Sequence, residues 1–69
     1  MEIHVIRHGW NQKPVKETIM IKRPITIQEL FEEKQYEEGI VIVNQTARNR
    51  GYVLQDGDIV QILPVLYAG

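Results

Sequence analysis

The chain contains no cysteine. That absence excludes disulfides, thiolate nucleophiles, thiolate metal sites and any persulfide carried on a side chain. Charge of one sign is lacking too: eight Lys and Arg stand against nine Asp and Glu, a net charge of -1. A nucleic-acid-binding domain needs a positive footprint to neutralise phosphates, so no nucleic acid partner is expected. No apolar run approaches the ~20 residues of a membrane-spanning helix. Met1-Glu2-Ile3-His4 lacks the basic and then apolar layout of a secretion signal. The expectation is a cytoplasmic protein with no membrane partner. A chain of 69 residues makes one domain. It buries roughly 60% of its unfolded surface, enough for one thin core and too little for a deep catalytic cleft.

What is present patterns clearly. Ile3 to Arg7 alternates and is rich in β-branched residues, which predicts a strand. Turn formers from Gly9 to Pro14 interrupt it, and a second strand is expected over about Glu17 to Lys22, making a hairpin. Thr26 with Glu29 three residues on is a capping box, and Ile25 can staple onto Leu30. The helix that follows presents Ile27, Leu30 and Phe31 on one face, runs to about Gln35 or Tyr36 and releases near Gly39. Ile40 to Asn44 is an unbroken apolar run, expected to be a central strand covered on both faces. Asn44 to Gly51 is a polar, exposed bend with a short edge strand nearby. Asp56-Gly57-Asp58 is a turn, Ile59 to Leu63 the last strand, and Pro64 ends its pairing. One helix with four or five strands packs best across one face of a mixed sheet. The predicted class is α+β in the β-grasp arrangement, with a domain over 1–63 and a flexible tail over 64–69.

Several groups resemble chemistry and fail on geometry. Arg7-His8-Gly9 looks like the opening motif of histidine phosphatases, but that reaction needs a second His and several cations converging on a phosphate. The second His here is His4, on the same strand. As metal ligands those two are no better, because four residues of strand separate them by ~13 Å. Asp56 and Asp58 around Gly57 are a tight turn rather than a calcium loop, which needs six or more oxygens. Glu32-Glu33 and Glu37-Glu38 read as solvated surface. Lys22-Arg23 with Arg48 and Arg50 is the one basic cluster, suited to solubility or to an acidic partner. No catalytic residue and no metal ligand is assigned.

The tail is the informative end. In Ile59-Val60-Gln61-Ile62-Leu63, burying Val60 and Ile62 leaves Ile59 and Leu63 on the open face beside Val65, Leu66 and Tyr67. Such a patch predicts a docking partner. After it comes Ala68 and then Gly69, whose lack of a Cβ suits a backbone that must thread a narrow slot.

From Asp56-Gly57-Asp58 through Ile59 to Pro64 and on to Gly69, the sequence resembles the ThiS/MoaD family of small sulfur carriers. Those proteins show a D-G-D turn, an alternating apolar strand, often a proline, and a terminal Gly-Gly. The resemblance implies a ubiquitin-like β-grasp fold and a terminal carboxylate adenylated by an ATP-dependent activating enzyme. Conversion to a thiocarboxylate and delivery to a sulfur-accepting synthase would follow, in cofactor biosynthesis of the thiamin or molybdopterin type. No cofactor would be bound; ATP would belong to the activating enzyme. By position, Gly69 is the modified residue, Leu63, Pro64, Val65, Leu66 and Tyr67 form the inserted arm, and Ile59 lies on the docking surface. Ala68 departs from the family by one methyl group at the penultimate glycine. Two other classes share this tail: a ubiquitin-like modifier joined to lysines through Gly69, and a non-covalent β-grasp binding module.

Overall fold

The structure, a computed structural model, describes residues 1–65. Alternation in the first strand decides its pairing. β1 (Glu2–Arg7) and β2 (Val15–Met20) form an antiparallel hairpin in which Ile3 faces Ile19, both buried. Pairing continues beyond the strands, because the Met1 amine donates to the Ile21 carbonyl and the Ile21 N–H to the Met1 carbonyl, each at 2.8 Å. β2 therefore begins at Val15, directly after Pro14, and not at Glu17. The reason is register: Arg7 at the far end of β1 takes Val15 as its partner.

Thr26 caps α1 (Ile27–Lys34) with both halves of the capping box in place. The Thr26 hydroxyl accepts from the Glu29 N–H at 3.1 Å, and Glu29 Oε1 accepts from the Thr26 N–H at 3.0 Å. The Thr26 N–H first, and then the Thr26 hydroxyl, which donates to the same oxygen at 3.2 Å, hold the Glu29 carboxyl below its ordinary value. Two further N–H groups of the first turn, on Ile27 and Gln28, donate to the carbonyls of Tyr52 and Arg50 at 3.0 Å. The segment after β4 thereby satisfies donors that a helix start leaves free. It also places Leu54 in the core with no exposed surface.

α1 ends sooner than Gly39. Gln35 takes the left-handed conformation, φ 56° and ψ 41°, and its N–H bonds to the Phe31 carbonyl. Gly39 serves the sheet instead: a Cβ there would lie 2.7 Å from the Leu63 carbonyl oxygen and 2.8 Å from Ile62 Cγ2. It opens β3 (Gly39–Val43), which turns through Asn44 and Gln45 into the short β4 (Thr46–Ala47). Both turn residues have positive φ, 50° and 71°, as a two-residue hairpin requires.

β5 (Ile59–Pro64) lies at the centre of a five-stranded sheet ordered β2-β1-β5-β3-β4, parallel to β1 and antiparallel to β3. This mixed sheet with one helix is the predicted β-grasp fold. Pro64 is the last residue of β5, opposite Gly39, so the strand runs one residue past the expected Leu63. Ile27, Leu30 and Phe31 of α1 close over Ile3, Val5, Ile19, Val41, Val43, Val60 and Ile62 in a single core. β3 is not covered on both faces. Val41 and Val43 are buried, but Ile40 is 52% exposed, because β5 and not β3 took the centre and the single helix covers one face. Among the described residues, no helix is long and apolar enough to cross a membrane.

Candidate functional site

Strand alternation places His4 and Ile6 of β1, Ile59, Gln61 and Leu63 of β5, and Ile40 and Ile42 of β3 on the face opposite α1. Their neighbours Val5, Val60, Ile62, Val41 and Val43 are the buried ones. The expected inward turn of Val60 and Ile62 is what the structure has. Ile59 is 45% exposed, while Leu63 is half-buried and paired across the sheet with Ile40. The result is a largely apolar surface, rich in isoleucine, with Gln61 at its middle between Ile6 and Ile42 and His4 beside Ile59. His4 Nδ1 is hydrogen bonded to Thr18 Oγ1 at 3.3 Å, and His8 Nε2 to Gln61 Oε1 at 3.1 Å. Each histidine thus has its own partner, on different strands.

Three side chains lock the start of β5. Asp58 is buried, and its carboxylate accepts from the Gln55 N–H and from Asn44 Nδ2, both at 2.8 Å, and from the Tyr52 hydroxyl at 3.4 Å. Asn44 in turn accepts from the Ile59 N–H at 3.0 Å and donates its own N–H to the Ile59 carbonyl at 2.9 Å. Asp56 accepts from the Glu2 N–H at 2.7 Å, and Gly57, with φ 85°, donates to the Glu2 carbonyl at 2.7 Å. Both carboxylates of the D-G-D turn therefore answer backbone and amide donors. Their work is to fix where Ile59 emerges.

At the other end of β5, the chain leaves the sheet after Pro64, and Pro64 and Val65 line a crevice. One wall is the β1–β2 loop, with His8, Trp10 and Gln12; the other is Glu37 and Glu38. Arg7 lines an adjoining pocket with His8, Gln12, Glu37, Glu38 and Pro64, and pairs with Glu17 at 3.1 Å, its guanidinium carbon 5.0 Å from the centre of the Tyr36 ring. The Tyr36 hydroxyl donates to the same Glu17 oxygen at 3.1 Å. Burial, then the Glu17 charge and that hydrogen bond, push the Tyr36 phenol up to about 12 against the opposing pull of Arg7.

Of the residues expected on the basis of sequence, Ile59, Leu63, Pro64 and Val65 lie along one strand and its exit. Leu66, Tyr67, Ala68 and Gly69 lie outside the described residues. The supposed basic cluster is two groups: Lys22 and Arg23 line a groove with Glu33, whereas Arg48 and Arg50 flank β3. Arg50 lies 3.8 Å over the Phe31 ring and pairs with Glu38 at 3.3 Å. Sequence reasoning missed Ile40 and Ile42 as part of the open face, and Trp10 beside the exit. The signal for the first was the count of helices: one helix cannot cover two faces. For the second, it was a tryptophan set in a polar turn.

Comparison with family models finds a match to the ThiS family over residues 4–69. Comparison with curated proteins finds no match. The match spans nearly the whole chain and includes Gly69, and the chain belongs to the ThiS family, a family of small sulfur carriers in cofactor biosynthesis.

Proposed function

We propose that this ThiS-family chain carries sulfur on the carbonyl of Gly69, as the substrate of an activating enzyme and not as a catalyst. The Gly69 carboxylate oxygen attacks the α-phosphorus of ATP, and pyrophosphate leaves. A sulfide-level nucleophile supplied by the partner then attacks the acyl carbon and AMP departs, leaving a thiocarboxylate. A synthase that accepts sulfur takes it from there. Activation is needed because a carboxylate has no good leaving group, and ATP and its metal ion belong to the partner's site, which supplies the charge stabilisation.

The observation that carries this reading is the unbroken path along β5. Its open-face residues Ile59 and Leu63 are continuous with Ile40 and Ile42, and the strand ends at Pro64, a few residues of sequence before Gly69. A partner docked on the apolar face has the arm within reach. Ile59, Leu63, Pro64, Val65, Leu66, Tyr67 and Ala68 are accordingly the partner-binding residues of the proposal.

Intact mass of the protein from its native host, with fragmentation of the C-terminal peptide, tests it. Oxygen replaced by sulfur at Gly69 is the expected result. An amide bond from Gly69 to lysines of other proteins would replace the carrier reading with that of a protein modifier. Full function after deletion of Gly69 would leave only a non-covalent binding module.

A further inference from the structure

β1 and β5 run parallel and adjacent, so both end at the same edge of the sheet. The His8 N–H donates to the Ile62 carbonyl at 2.9 Å, which carries the pairing past the end of β1. The β1–β2 loop therefore starts beside β5 and flanks the point where Pro64 and Val65 depart. The indole of Trp10 stands on that wall of the crevice, 59% exposed, and it is the one tryptophan in the chain. The loop that presents it is shaped. Gln12 packs so closely on Gly9 that a Cβ there would lie 2.7 Å from its Oε1, and Asn11 takes a positive φ of 53°. Nothing in the core uses this ring. Tryptophans held in water beside apolar surface are the residues that most often carry binding energy in an interface.

Distance decides what the ring meets. In the carrier reading, on which this inference rests, the reacting carbonyl is on Gly69. Four residues of extended chain from Val65 reach at most ~14 Å. An active site that closes on Gly69 has its rim within that distance of the crevice, which puts the loop among the surfaces that the rim can meet. We propose that Trp10 is a docking residue for the activating enzyme, its indole entering an apolar slot on the rim of the tail-binding channel. Glu37 and Glu38 on the opposite wall face a cationic part of the same rim. The interface thus extends from the open sheet face around the root of the tail, and Trp10 helps to decide which enzyme may take it.

The chain labelled with 5-fluorotryptophan gives one fluorine resonance, a reporter that needs no mutation. It is titrated with each purified adenylating enzyme of the host in turn, and ATP–pyrophosphate exchange is the assay that asks whether any of them takes this chain as a carrier. The resonance is expected to shift on binding, and Trp10→Ala to raise the KM for the carrier about tenfold with kcat little changed. Trp10→Phe, which keeps an apolar ring, is expected to fall between. A wild-type chain that supports exchange with an unmoved resonance and an unchanged KM for Trp10→Ala overturns the docking role alone. Absence of exchange on the wild-type chain overturns the carrier reading and the docking role together.

Discussion

Single residues in this protein are constrained where backbones approach or where a buried group must be satisfied. Gly39 is the clearest case of the first. Its Cβ position is occupied by Leu63 backbone, which cannot swing aside as a flexible side chain would. Gly39→Ala is expected to cost about 1–3 kcal/mol, read as a lower urea midpoint with an unchanged slope. Asp58 is the clearest case of the second. Asp58→Ala strands the Gln55 N–H and the Asn44 amide, and a loss of about 2 kcal/mol or more is expected in the same measurement. Tyr36 gives a prediction in pH. Its phenol sits near 12 in the fold against 10.0 ordinarily, so between those values the unfolded chain loses its proton first. The unfolded state then binds fewer protons than the folded one, and stability falls as pH rises through that window. Spectrophotometric titration should find a tyrosine ionising near 12, and Tyr36→Phe should flatten the alkaline loss of stability. A Tyr36 phenol that titrates near 10.0 would contradict this account.

Elements were legible where local chemistry decides them and obscure where the sheet does. Thr26, Glu29 and the buried stripe of Ile27, Leu30 and Phe31 are a local pattern, and α1 begins where that pattern says. Thr26→Ala is expected to cost about 1 kcal/mol in thermal or urea unfolding. The end of α1 near Gln35 was legible, but its cap was not: Gln35 itself adopts the left-handed conformation that most sequences assign to glycine, while the available glycine, Gly39, was needed against Leu63. Similarly, Ile40 to Val43 reads as a doubly buried strand, since apolar runs do not say which neighbour will be central. The turn between β3 and β4 asks for positive φ twice, and Gln45 supplies one of them at a steric cost. Gln45→Gly should relieve that strain and raise stability by up to about 1 kcal/mol, visible as a higher melting temperature. A lower melting temperature would show that the Gln45 side chain contributes more than its backbone costs.

At the scale of the whole molecule, the core and the open face occupy opposite sides of one sheet, and the proposed function puts recognition on the second. Val60 and Ile62 hold α1, and Ile59 and Leu63 look away from it. Ile59→Glu is therefore expected to leave the urea midpoint nearly unchanged while lowering activation of Gly69 at least tenfold, measured as pyrophosphate exchange. Equal loss of both would mean that Ile59 belongs to the core. The alternation of Ile59 to Leu63 made the buried and open faces readable in the sequence, because it is a short-range pattern. The crevice was not readable: Trp10 and Val65 are brought together by the parallel pairing of β1 with β5, which no local pattern encodes.

That same central position of β5 governs how the protein is made. β1 is synthesised well before its inner partner, so the sheet has no middle until the Ile59–Pro64 segment exists. Contacts of such long sequence separation form late. A nascent chain cut short before this strand keeps a hairpin, a helix and a second hairpin with nothing to join them. The docking face would be missing along with the core. An activating enzyme that recognises the face would therefore meet only chains translated through to the residues that lead to Gly69, and unfinished copies would never enter the sulfur pathway.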